Sequence, residues 1–158
     1  MNEVVNESAP ELEKRYRTTV FIVLAQIFVV LVLVAASLFG VSKIETSLTN
    51  QDLTTLWVVV LFIAIGSFLL RRTFFNWERL KNIAILKGVP GLLGTLQRNS
   101  VILGVFGVVV AVLGFLIATL SGNSSDMLRA GVIALVVFLI NFPRKKVWKT
   151  IVSNLGKV

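Results

Sequence analysis

The sequence predicts an all-α fold, an integral membrane bundle of four transmembrane helices arranged as two antiparallel hairpins. Three observations predict it. Apolar blocks at 18–40, 53–70, 101–120 and 127–142 are long enough, or nearly so, to cross a bilayer. None of the four contains an aspartate or glutamate. Of sixteen lysines and arginines, only Lys43 and Arg129 fall outside three clusters, which lie before the first block, between the second and third, and after the fourth. A hydrocarbon core about 30 Å thick takes about 20 helical residues. Lipid offers no partner to open backbone groups, so continuous apolarity of this kind reads as helix. In a 158-residue chain that is 56% hydrophobic, too little polar surface remains to solubilise a domain in water.

The elements follow in order. Residues 1–17 form a polar cytoplasmic tail with Glu3, Glu7, Glu11 and Glu13 ahead of or beside Lys14, Arg15 and Arg17, and with Pro10 among them; a mobile tail or a short surface helix is expected. The first apolar block exceeds the roughly 7–15 residues of a cleaved signal's core, and acids precede its basic cluster. A retained signal-anchor helix is therefore expected, although Val34, Ala35 and Ala36 make a passable cleavage sequence. Gln26 lies about one turn from the middle of this span. Its amide needs a partner, and an interhelical hydrogen bond worth ~0.6–2 kcal/mol is the ordinary outcome; a substrate or ion contact is the functional alternative.

An outer loop follows over 41–52, with Lys43, Glu45 and Asp52, and Trp57 stands where an aromatic anchor belongs. The second span ends against Arg71 and Arg72, and because 71–87 holds no Gly or Pro the helix is expected to extend to about 87. Gly88, Val89, Pro90 and Gly91 break it. Leu92, Leu93 and Leu96 then suggest a short interfacial helix leading into the third span.

The third span carries the sharpest packing pattern. Gly104, Gly107, Ala111, Gly114 and Ala118 recur at intervals of three and four and share one helix face. Small residues let helix backbones approach closely in lipid, so this stripe is a helix-packing seam, within one chain or between two. Residues 121–126 form a tight turn, and Ala130 and Ala134 offer a smaller matching face on the fourth helix. Arg129, just inside that helix, is expected to snorkel to the interface, since a cation at the bilayer centre costs roughly 2.5–3.5 kcal/mol. Pro143 ends the helix, and 143–158 form a basic cytoplasmic segment.

The cation placement is an orientation pattern more than a nucleic-acid footprint. Under the positive-inside rule it places both termini and the 71–100 segment in the cytoplasm. Arg144, Lys145 and Lys146 are the one cluster dense enough for lipid-headgroup contact. Chemistry by cysteine or histidine is excluded, because the chain has neither. General acid–base work needs a titratable group in a cleft, and such groups here sit in loops and at interfaces. Gly88, Gly91 and Gly94 precede no Lys-Ser or Lys-Thr pair, so no phosphate-cradling loop is formed. No enzyme activity, cofactor, metal or small-molecule substrate is expected.

A resemblance can be placed on particular residues. The stretch 102–122, with Val110, Ala111, Val112, Leu113, Gly114, Phe115 and Leu116 at its heart, resembles the carboxylate-bearing helix of rotary-ATPase proteolipid (c- or K-type) subunits. The two-hairpin layout is similar to the duplicated K-type form. Phe142, Pro143 and Arg144 resemble the closing motif of uncharacterised bacterial four-span membrane proteins distantly similar to that family. The resemblance implies the fold. It does not imply ion translocation, because Val108 stands where the family places its ion-binding glutamate, and the glycine pattern of the family's inner helix is missing from 18–40.

Three functional readings follow. The first is a small structural or accessory membrane protein that acts by packing helices against itself or a membrane partner, as a homo-oligomer or in a complex. The second is an oligomeric channel or transporter component lined by small residues and Gln26. The third is an anionic-lipid-binding or regulatory module using its basic surface. The short loops suit a bacterial inner membrane.

Overall fold

The structure, a computed structural model, describes residues 3–40 and 50–155, with side chains described at 9–39 and 51–155. The outer-loop residues Lys43 and Glu45, and the terminal Lys157, lie outside the described residues. Among the described residues five helices form: α1 (Glu3–Gly40), α2 (Asn50–Phe74), α3 (Trp77–Ser121), α4 (Ser124–Asn141) and α5 (Lys145–Leu155). Four of them, α1 to α4, include a stretch long and apolar enough to cross a bilayer. The chain is thus an all-helical protein of multi-pass membrane character.

Two boundaries differ from the sequence reading. Where the sequence predicts a second helix running on to about residue 87, α2 stops at Phe74 and a new helix begins at Trp77. Asn76 causes the break. It takes an extended conformation (φ −62°, ψ 130°), and its side-chain oxygen accepts the Glu78 N–H at 3.0 Å. A side chain that competes this well for backbone donors starts a helix more readily than it continues one. The second difference is that the expected interfacial helix around Leu92 and Leu96 is continuous with the third span, which runs to Ser121. Gly88 sits at φ 64°, ψ −172°, a region essentially restricted to glycine. Pro90 then supplies no N–H to the turn before it. Together they bend α3 into segments 77–87 and 89–121.

The basic segment after Pro143 is itself an element that the sequence reading lacks. In α5, Trp148, Ile151, Val152 and Leu155 are all buried, and they recur at i, i+3, i+4 and i+7, the spacing of one helix face. That face, with Leu12 of α1 and Leu80, Leu92, Leu93 and Leu96 of α3, closes a second hydrophobic core. The larger core lies in the apolar spans, around Val23, Val30, Val60, Ala111, Met127 and Phe138.

The central element is α3, which packs on α1, α2, α4 and α5. Both α1 and α2 lean on α3 and α4, and among the described residues they do not touch each other. Their outward faces are therefore apolar and open. Phe21 is 74% exposed, Phe28 66% and Phe62 73%. In water such a surface would associate at once, whereas lipid tails are as apolar as the side chains they meet.

Candidate functional site

The small-residue seam of α3 is buried along its whole length: Gly104, Gly107, Ala111, Gly114 and Ala118. It faces two different helices. A Cβ at Gly114 would collide with the Ala130 Cβ of α4, and one at Gly107 would lie 2.6 Å from the Phe138 ring. Ala130 and Ala134 are fully buried opposite. A Cβ at Gly104 would instead strike the Gln26 amide of α1. Gln26 reaches through that gap and donates its Nε2 hydrogen to the Val101 carbonyl at 3.4 Å, while its Oε1 is buried without a partner. Glycine is needed at 104 because the space it leaves is occupied by the one polar side chain near the middle of the first apolar span.

At the other end of α4, Asp126 accepts from Ser121 Oγ at 2.8 Å and holds Arg129 Nη1 at 3.4 Å. Gly122 (φ 69°) and the Asn123 cap make this turn tight. Arg129 itself stays 70% exposed, as a snorkelling cation does.

The basic end of the bundle is built differently. Four elements converge there through specific bonds. Asn99 of α3, buried, donates to the Phe74 carbonyl at the end of α2 (3.2 Å). Tyr16 of α1 donates to the Pro143 carbonyl (3.3 Å) and meets the Trp148 ring edge-on, with centroids 5.8 Å apart. Lys145 at the start of α5 pairs with Glu13. Between these ties lies a cavity of about 100 Å³, lined by Arg71, Phe75, Asn141, Phe142, Pro143, Arg144, Val147 and Trp148.

Its polar groups are unmatched. Arg71 Nη1, Trp148 Nε1 and both amide atoms of Asn141 are buried without a hydrogen-bond partner. Most buried polar atoms in proteins are paired, and each one left unpaired costs ~1–3 kcal/mol. These four atoms belong to three residues that line one cavity, a concentration that packing does not explain. Of the three residues predicted as a basic cluster, only Arg144 belongs to this cavity; Lys145 is engaged with Glu13, and Lys146 points into solvent. Sequence reasoning missed Arg71, Asn141 and Trp148 as members of one site. Only the i, i+3, i+4, i+7 spacing that begins at Trp148 was available to flag the helix that brings them together.

Comparison with known proteins adds no relative: no family model, no curated protein and no solved structure matches this chain.

Proposed function

We propose that the protein is a small structural or accessory membrane protein, a four-span bundle that works by helix packing in the bilayer. The observation that carries this reading is the use made of Gln26. A solute pathway needs a polar group turned toward an open track, but here the amide nitrogen donates to the Val101 carbonyl and the amide oxygen is buried in a slot made by Gly104. The seam that could have lined a pore is likewise filled by Gln26, Phe138 and Ala130. What is left for a partner is the apolar outer surface of the spans, on α1 and α2 and on the outer face of α4.

In this reading the helices form two antiparallel hairpins. The register in which Gly107 meets Phe138 while Gly114 meets Ala130 supports the second of them. Both termini lie on the cytoplasmic side, in keeping with the clustering of all but two cations there, and a bacterial inner membrane is the expected home. Native mass measurement after extraction in mild detergent tests the reading. A stable complex with another membrane protein supports it, whereas a ring of this chain alone that passes solute in liposomes and loses passage in Gln26→Leu refutes it. Reporter tags that place the termini on opposite sides refute the orientation.

A further inference from the structure

The cavity at the basic end carries an inference of its own, which depends on the chain sitting in a bilayer but not on the packing role proposed above. We infer that it is a binding site for a phosphate-type oxyanion, presented either by an acidic phospholipid headgroup or as free phosphate, and held by Arg71, Arg144, Asn141 and Trp148.

The chemistry of the lining selects the ligand. Guanidinium and indole groups only donate hydrogen bonds, and an Asn amide brings two donors against one acceptor. No aspartate or glutamate lines the cavity, and among the described residues neither Arg71 nor Arg144 has an ion-pair partner. Two guanidinium groups gathered at one partly buried site repel each other unless an anion sits between them. Arginine's planar fork matches the oxygens of a phosphate in pairs.

A neutral ligand leaves the two cations unmatched, and a cation adds to them. The cavity has room for water, but water cannot balance the charge of two guanidinium groups. The first turn of α5 adds to the preference. Val147 and Trp148 of that turn line the cavity with Arg144 just ahead of it, the turn contains no acid, and Arg144 has no side-chain acceptor to cap the free N–H groups. A helix start of this kind attracts anions. Trp148 is fully buried and Asn141 is 7% exposed, so the packing fixes both side chains at the wall of the cavity.

The position also fits a headgroup. The cavity lies at the basic end of α2 and α4, beside Arg71 in the last turn of α2 and Asn141 at the end of α4. A phospholipid whose tails lie along those helices carries its phosphate at this depth.

The test uses the full chain in maltoside micelles, which contain no phosphate, with Trp57→Phe and Trp77→Phe so that Trp148 is the sole tryptophan and is excited selectively at the red edge of its absorption. Inorganic phosphate is titrated in one arm and phosphatidylglycerol in another; uncharged diacylglycerol controls for binding by the tails alone. A saturable change in Trp148 emission with phosphatidylglycerol identifies a headgroup site, and one with phosphate identifies a free-anion site. Arg71→Gln and Arg144→Gln should each weaken the response roughly tenfold to a hundredfold, as expected for loss of a charge-assisted hydrogen bond. Lys81→Gln, which removes the same charge from an exposed position on α3, should leave it unchanged. Arg144 is exposed, so its variant keeps the test decisive even where Arg71→Gln fails to fold. No response in either arm shows a cavity that holds only water and overturns the inference. Equal losses in Lys81→Gln and Arg144→Gln overturn it as well, since they mean diffuse surface attraction.

Discussion

Gly114→Ala tests the packing logic at its tightest point. The added methyl would meet the Ala130 Cβ at far less than contact distance, with the Ala130 backbone Cα only 3.5 Å away. Neither neighbour is the tip of a flexible side chain, so relief requires α3 and α4 to move apart. Overpacking of this kind costs typically 1–3 kcal/mol. Replacing a mid-helix glycine by alanine returns roughly 0.5–1 kcal/mol of backbone entropy, which leaves a net loss of about 0.5–2 kcal/mol. Ala130→Gly alone should also destabilise, by about 0.5–1 kcal/mol, through the same entropy term. The double variant exchanges the two residues across the seam and restores the fit, so the losses should not add. A coupling of about 0.5–3 kcal/mol in favour of the double variant is expected for residues in direct contact. Reversible unfolding of the purified protein in mixed micelles gives all four stabilities. Additive losses, with no recovery in the double variant, would refute the claim that this stripe is a seam within one chain.

Other perturbations have equally definite outcomes. Gly88→Ala should destabilise by about 1–3 kcal/mol, because φ 64°, ψ −172° is strained for any residue with a Cβ; unchanged unfolding would mean that the bend is not held. Trp148→Ala removes a fully buried ring that anchors α5 against Tyr16. A cost of about 3–5 kcal/mol is expected, and limited proteolysis should cut first within α5. The pair between Glu13 and Lys145 gives a pH dependence. Glu13 lies ahead of the apolar part of α1, and the hydrogen bond from Lys145 holds its carboxyl below the ordinary value of 4.5. A carboxyl lowered on folding stabilises fully above that ordinary value and loses its contribution as pH falls through the lower folded value. Protease protection of α5 should therefore weaken in acid in the native chain and lack this acid step in Glu13→Gln.

Much of the architecture was legible in the residues. Long apolar runs without acids forced helices of membrane length, and spacings of three and four picked out the Gly104 to Ala118 face before any contact was known. Gln26 needed a neighbour simply because its amide stands in hydrocarbon. The misreadings came from competing local effects. The stretch 71–87 has helix-forming composition throughout, but one asparagine at 76 bonds to its own backbone and ends the run. In the tail after Pro143 the density of lysines masks the apolar face of a short helix, Trp148, Ile151, Val152 and Leu155.

Segment identity depends on how each residue partitions between water and lipid, and that is a property of short sequence stretches. The chain alone therefore decided how many long apolar helices there are and which face of the third is small. Tertiary structure decided which helix fills which gap: Gln26 at Gly104, Phe138 at Gly107, Ala130 at Gly114. It also decided that Arg71, Asn141, Arg144 and Trp148 surround a single cavity, although about seventy positions separate Arg71 from the other three. Convergence of that kind follows from the crossing and bending of rods in space, through Gly88, Asn76 and the Asn99 tie to Phe74. No local preference encodes it.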